Sequence, residues 1–259
     1  MVQTNYSAPV DALLSLGETH IHKWPDYLKQ FNWTAADIPE LIRMATDSEL
    51  NWADSESLEV WAPVHAWRSL GQLRAEAAIN PLISIFNEMD DSDWFREEMP
   101  EVFGLIGSCA IPATAEFLAT PNKLFSSRWM SAEILVKIGQ QHPSSRDECV
   151  SVLVKQLEQS SKNSRDLNGA LICAFIDLEA TEAAPLIEAV FSANRVDTSI
   201  PGDWVDVQYA LGLIARSEVY DLRNHVDAEH LGAKATKLRE STVGFGQGTK
   251  RSAKGKKKK

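Results

Sequence analysis

The chain has 259 residues, 44% of them apolar and 24% charged, the balance of a globular protein that buries a core. Its net charge of −10 joins two opposed parts: residues 234–259 hold ten Lys or Arg and one acid, Glu240, for +9, leaving 16 basic and 35 acidic side chains, a net of −19, on residues 1–233. An acidic body of that kind excludes a polyanion-binding surface there, no apolar run approaches the roughly 20 residues of a membrane helix, and the opening Met1-Val2-Gln3-Thr4-Asn5-Tyr6 has neither the basic cap nor the apolar run of an export signal, so a cytoplasmic location is expected.

In chain order, Ser7 and Pro9 precede an apolar run closed by Gly17, which predicts a short first helix. Thr34 with Asp37 three residues on resembles a capping box for a helix over 35–46. Asp54 or Ser55 is placed to cap a helix 56–70, Ser92 a helix 93–106, and Ser164 a helix 165–178. Between these lie apolar second helices at 78–86, 111–118, 149–157 and 183–191, with Pro81, Pro112 and Pro185 near helix starts, where a missing N–H costs little. First helices end at Leu70, Ile106, Ile138, Leu178 and Ile214, at spacings of 36, 32, 40 and 36 residues. Four residues before each stands Ala66, Val102, Ile134, Ala174 or Ala210, on the same helix face. Gly71, Gly107 and Gly139 follow the first helices, where a left-handed cap is wanted. A period in this range marks a stack of supersecondary units. The expected fold is all-α: an α-solenoid of stacked antiparallel helix pairs, with an N-terminal helical cap over 1–53, the repeats over 54–232 and a disordered basic tail over 233–259.

From Ala66 to about Leu213 the pattern resembles HEAT repeats of the bilin-lyase type, and in particular a bacterial HEAT-like family of unknown function. The stretches that carry the likeness are Ile38-Pro39-Glu40-Leu41-Ile42, Leu70-Gly71 with the helix after it, and Trp204-Val205-Asp206 before Ala210-Leu211-Gly212. The resemblance implies a fold and leaves the function open, since one fold serves many functions. In the tail, Gly246, Gly248 and Lys250 resemble the core of a SEC-C motif, a zinc-binding tail. Its ligand positions hold Val243, Phe245, Lys254 and Gly255, none of which offers a thiolate or imidazole, so no zinc is expected. A Gly/Lys-rich tail of unrelated origin reads the same.

Candidate interaction residues fall into two groups. Trp94, Trp129 and Trp204 stand 12, 9 and 10 residues before Ile106, Ile138 and Ile214, so their rings could line one edge of the stack as binding anchors; indoles also fill gaps between stacked helices. Lys250, Arg251, Lys254, Lys256, Lys257, Lys258 and Lys259 form a cationic arm, for an anionic partner (RNA, a ribosome or an acidic protein) or merely for solubility. Glu88, Asp90, Asp91, Asp93, Glu97, Glu98 and Glu101 read as a solvated acidic ridge rather than a calcium loop, which would need a glycine turn. Cys109, Cys149 and Cys173 read as small buried hydrophobes. No nucleophile elbow or phosphate-cradling glycine loop is present, so no catalytic, cofactor or metal residue is assigned. The expected role is a protein-binding module that holds a protein or peptide on the solenoid surface. The rivals are a nucleic-acid or ribosome-associated protein led by its tail, and a bilin-lyase-like cofactor handler.

Overall fold

A computed structural model describes residues 5–20 and 23–223, and these hold helices, turns and loops with no strand. Contacts divide the chain into two units, residues 1–213 and 214–259. The N-terminal segment 1–53 thus belongs to the same unit as the helix pairs. Of the second unit, residues 216–223 are helical, and the basic tail lies outside the described residues.

Short 3-10 turns at Val10–Ser15 and Ala35–Asp37 accompany the first helices, α1 (Tyr27–Phe31), α2 (Ile38–Ala45) and α3 (Ser48–Asn51). The Thr34–Asp37 capping box forms as the spacing requires, each side chain bonding the other residue's backbone. Four helix pairs follow: α4 (Ala62–Gln72) with α5 (Ile79–Ser84), α6 (Asp93–Ile106) with α7 (Ile111–Ala119), α8 (Phe125–Gln141) with α9 (Arg146–Leu157), and α10 (Arg165–Asp177) with α11 (Ala184–Ser192). A last helix, α12 (Trp204–Ala210), closes the unit. Packing runs in two rows. Each first helix lies on the next, α4 on α6, α6 on α8 and α8 on α10; each second helix does likewise, α5 on α7, α7 on α9 and α9 on α11.

The local chemistry explains most boundaries. Ser92 and Ser164 accept the N–H groups of Phe95 and Leu167, and Pro112 and Pro185 occupy the first turns of α7 and α11, where no helical acceptor awaits their nitrogen. The cap expected at Asp54 or Ser55 is not used. The helix begins later, at Ala62, after a 3-10 turn at Glu59–Trp61 and without a side-chain cap. Of the three glycines expected as left-handed caps, Gly107 alone has positive φ, at 98°. Gly71 and Gly139 remain inside their helices and serve close approach: a Cβ on Gly71 would stand 3.2 Å from Val102 Cα of the neighbouring helix, and one on Gly139 would meet Leu178 Cδ2 at 2.8 Å.

Leu70, Ile106, Ile138 and Leu178 are buried, which fixes the phase of four units. Ile214 is half-buried, because α12 stops at Ala210 and the chain passes into the second unit. Cys149 is buried and Cys173 partly so, but Cys109 is exposed on the turn between α6 and α7, a correction to the reading of all three as core residues. The most enclosed element is α4, buried from Ala62 through Gly71 between α2, α6 and the N-terminal segment. Its polar side chains are accordingly bonded. His65 Nε2 donates to the Gly17 carbonyl (2.9 Å) and its Nδ1 accepts from the Tyr27 hydroxyl (2.6 Å), while Ser69 Oγ accepts from Trp33 Nε1 (3.1 Å) and donates to the His65 carbonyl (2.7 Å). Burial holds the His65 imidazole below its ordinary pKa, so it stays neutral in that network.

Candidate binding groove

Along the row of first helices runs a groove of about 850 Å3, walled by α6, α8 and α10 and flanked by Trp24. Its inner surface is acidic. Glu97 comes from α6, Glu133 from α8 and Asp177 from α10, and none of the three has a Lys or Arg within ion-pair distance among the described residues. Glu101, also on the wall, is engaged: it accepts from Gln141 Nε2 (2.8 Å) and lies 3.4 Å from Lys137 Nζ. Arg96 reaches its own helix's Asp93 at 3.1 Å.

Glu133 reports the shape and charge of the groove together. Its side chain keeps contact with solvent, yet the surrounding walls remove much of its hydration, and the carboxylates of Glu97 and Asp177 face it. Desolvation first, and those two charges next, push it up to about 7, against weaker opposing effects from Arg96 and the Trp129 indole N–H. Burial likewise raises Asp177, with Lys137 pulling the other way. An exposed carboxylate that is nevertheless desolvated is one that lines a concavity.

This gives a pH test with a definite sign. Folding raises the Glu133 pKa from 4.5 to about 7, so the folded state holds its proton where the unfolded chain has released it. The group therefore costs stability as pH rises through that interval. Glu133→Gln should match or trail the wild type near pH 4.5 and exceed its melting temperature by pH 8. A stability difference independent of pH would show that Glu133 sits in ordinary solvent.

Beneath one end of the groove lies a buried ion pair. Arg68 and Glu98, with side chains 0% and 1% exposed, form a two-pronged contact, Nε to Oε2 at 2.7 Å and Nη2 to Oε1. Trp67 Nε1 donates to Glu98 Oε2 (3.0 Å), and the Arg68 guanidinium also donates to Thr19 Oγ1 (2.7 Å) and the His20 carbonyl (2.9 Å) beneath the Trp24 ring. Glu98 is thereby removed from the solvated ridge to which its sequence neighbours pointed. It is an interior anchor between α4 and α6.

The structure separates the three candidate tryptophans. Trp129 lies on the groove wall, with its ring 5.5 Å from that of Phe125. Trp94 packs edge-on against Trp61 at 4.8 Å, and Trp204 against Phe191 at 5.8 Å; both are half-buried on the core and neither lines the groove. Lys250, Arg251, Lys254 and Lys256 to Lys259 lie outside the described residues. A signal for the groove was nevertheless present in the sequence. Glu97, Glu133 and Asp177 stand 9, 5 and 1 residues before Ile106, Ile138 and Leu178. Each step of four is about one helical turn, so the three acids keep one face while moving toward the helix ends. A search for residues at one shared position misses a set that shifts by a turn per unit.

Among the described residues no group of three or more His, Cys, Asp or Glu is arranged to hold a metal ion, and no single helix is long and apolar enough to cross a membrane. No protein-family model, curated protein or solved structure matches the chain.

Proposed function

We propose that the two rows of helices form a HEAT-like solenoid scaffold, and that its groove holds a basic, extended segment of a protein partner. The observation that carries this reading is the line of unpaired carboxylates, Glu97, Glu133 and Asp177, from three successive first helices. Here burial first, and the facing carboxylates of Glu97 and Asp177 next, disfavour charge on Glu133, and a cationic ligand offsets both while electrostatic complementarity sets its register. Trp129 beside Glu133 adds a flat surface on which a Lys or Arg stem can lie.

The basic tail supports a second contact with an anionic partner, on the strength of its +9 charge against a −19 body. The groove and tail readings separate by ligand sign. A fluorescent Lys/Arg-rich peptide of about ten residues should bind the full chain in a one-to-one complex and change the Trp129 emission, and the affinity should fall with salt as exposed charges are screened. An acidic peptide of equal length should leave that emission unchanged. A Trp129→Phe variant that retained the full emission change would place the peptide elsewhere and count against the groove.

A further inference from the structure

On the other side of α8 a second cleft, of about 450 Å3, opens between α7 and α9 and has the opposite charge. Arg128 forms part of its lining, and Lys155 and Lys162 stand with it; none of its eleven lining residues is acidic. In a body with more than twice as many acids as bases, that composition needs a reason.

Arg128 is 92% buried by its 8% exposure. Its Nε donates to the Leu118 carbonyl at 2.8 Å, satisfying one of the last acceptors of α7. That bond accounts for one of five N–H donors on the guanidinium. The four on Nη1 and Nη2 have no protein acceptor among the described residues, yet these nitrogens are not sealed into the core. Solvent therefore reaches them, and Arg128 lines the cleft. No carboxylate offsets the charge, and burial alone lowers the Arg128 pKa from its ordinary value. A helix-capping role uses a single donor and leaves a desolvated cation otherwise uncompensated, an arrangement that costs free energy unless an anion completes it.

We propose that this cleft is a binding site for a phosphomonoester dianion. The planar Nη1/Nη2 fork matches two phosphate oxygens, and Lys155 and Lys162 supply point charges for the remainder. Pro121 and Val152 offer an apolar wall to the ester's organic group, and three cations against one ligand favour a double negative charge over a carboxylate's single one.

The test uses the full chain, with inorganic phosphate and phenyl phosphate as probes and chloride at matched ionic strength as the control. Calorimetry should give one site for each probe, tighter for phenyl phosphate, and each should raise the melting temperature above the chloride control. Lys155→Gln with Lys162→Gln changes two exposed side chains and should leave the fold intact while weakening phosphate binding roughly tenfold or more. Arg128→Lys should abolish the phosphate-dependent rise whatever it does to the basal melting temperature. A rise no larger than that from chloride, binding unaffected by the paired lysine variants, or an equal response to benzoate would overturn the proposal.

Discussion

Replacing Glu98 by Gln should destabilise the protein by about 3–5 kcal/mol, the usual consequence of stranding one partner of a buried ion pair. Glutamine keeps the size and one acceptor oxygen, but it leaves the wholly buried Arg68 guanidinium without its counter-charge. For a chain of this size the loss corresponds to a fall in melting temperature on the order of 10 °C. The Thr19 hydroxyl and His20 carbonyl offer Arg68 neutral acceptors that cannot replace a carboxylate. Because the pair spans α4 and α6, the loss should loosen their contact, read as faster amide exchange in α4. A double variant, Arg68→Met with Glu98→Leu, should recover most of the loss, since paired burial costs desolvation on both sides. A Glu98→Gln loss below about 1 kcal/mol would mean that water reaches the pair, contrary to its burial.

The second large effect belongs to the apolar phase of the repeat. Ile138 is fully buried on α8, the helix that packs against both α6 and α10. Ile138→Ala removes methyl and methylene groups at a site closed by helices on two sides, where collapse around the cavity is restricted. The expected cost is about 2–5 kcal/mol, measured by denaturant titration with an unchanged slope. A loss under about 0.5 kcal/mol would place Ile138 on the surface and shift the phase of the neighbouring units.

Both effects follow from features with different legibility. Ile138 was visible in the sequence because apolar residues mark a helix's buried face, and Leu70, Ile106 and Leu178 recurred with it at about one repeat length. Caps at Thr34, Ser92 and Ser164 were visible for the same reason: their chemistry is local, complete within four residues. Glu98 was not. In sequence it is one of seven acids around a single Arg, and only the packing of α4 on α6 brings Arg68 and Trp67 to it. Gly71 and Gly139 were read as turn residues because a glycine near a helix end usually is one; their actual contribution, room for the Val102 backbone at Gly71 and for the Leu178 side chain at Gly139, depends on a neighbour about 30 to 40 residues away. Arg128 carried no signal in the sequence, since nothing local announces that it lines a cleft. The general limit is the axial offset between neighbouring helices. Periodicity gives the face a side chain occupies, but the offset decides which polar residues of different helices meet.

That offset makes the carboxylate line the most specific part of the functional reading. Glu97, Glu133 and Asp177 form one surface only if α6, α8 and α10 are stacked as described, so their joint neutralisation tests architecture and binding together. The decisive comparison is the affinity of the full chain for the Lys/Arg-rich peptide, measured in the wild type and in two triple variants of equal charge change. One carries Glu97→Gln, Glu133→Gln and Asp177→Asn; the other neutralises Asp11, Glu116 and Glu188, which lie away from the groove lining. The groove variant should lose most of the affinity and most of its salt dependence, while the control variant should stay close to the wild type. Equal losses in both would reduce the interaction to general attraction by an acidic body and contradict a groove built to hold a basic segment.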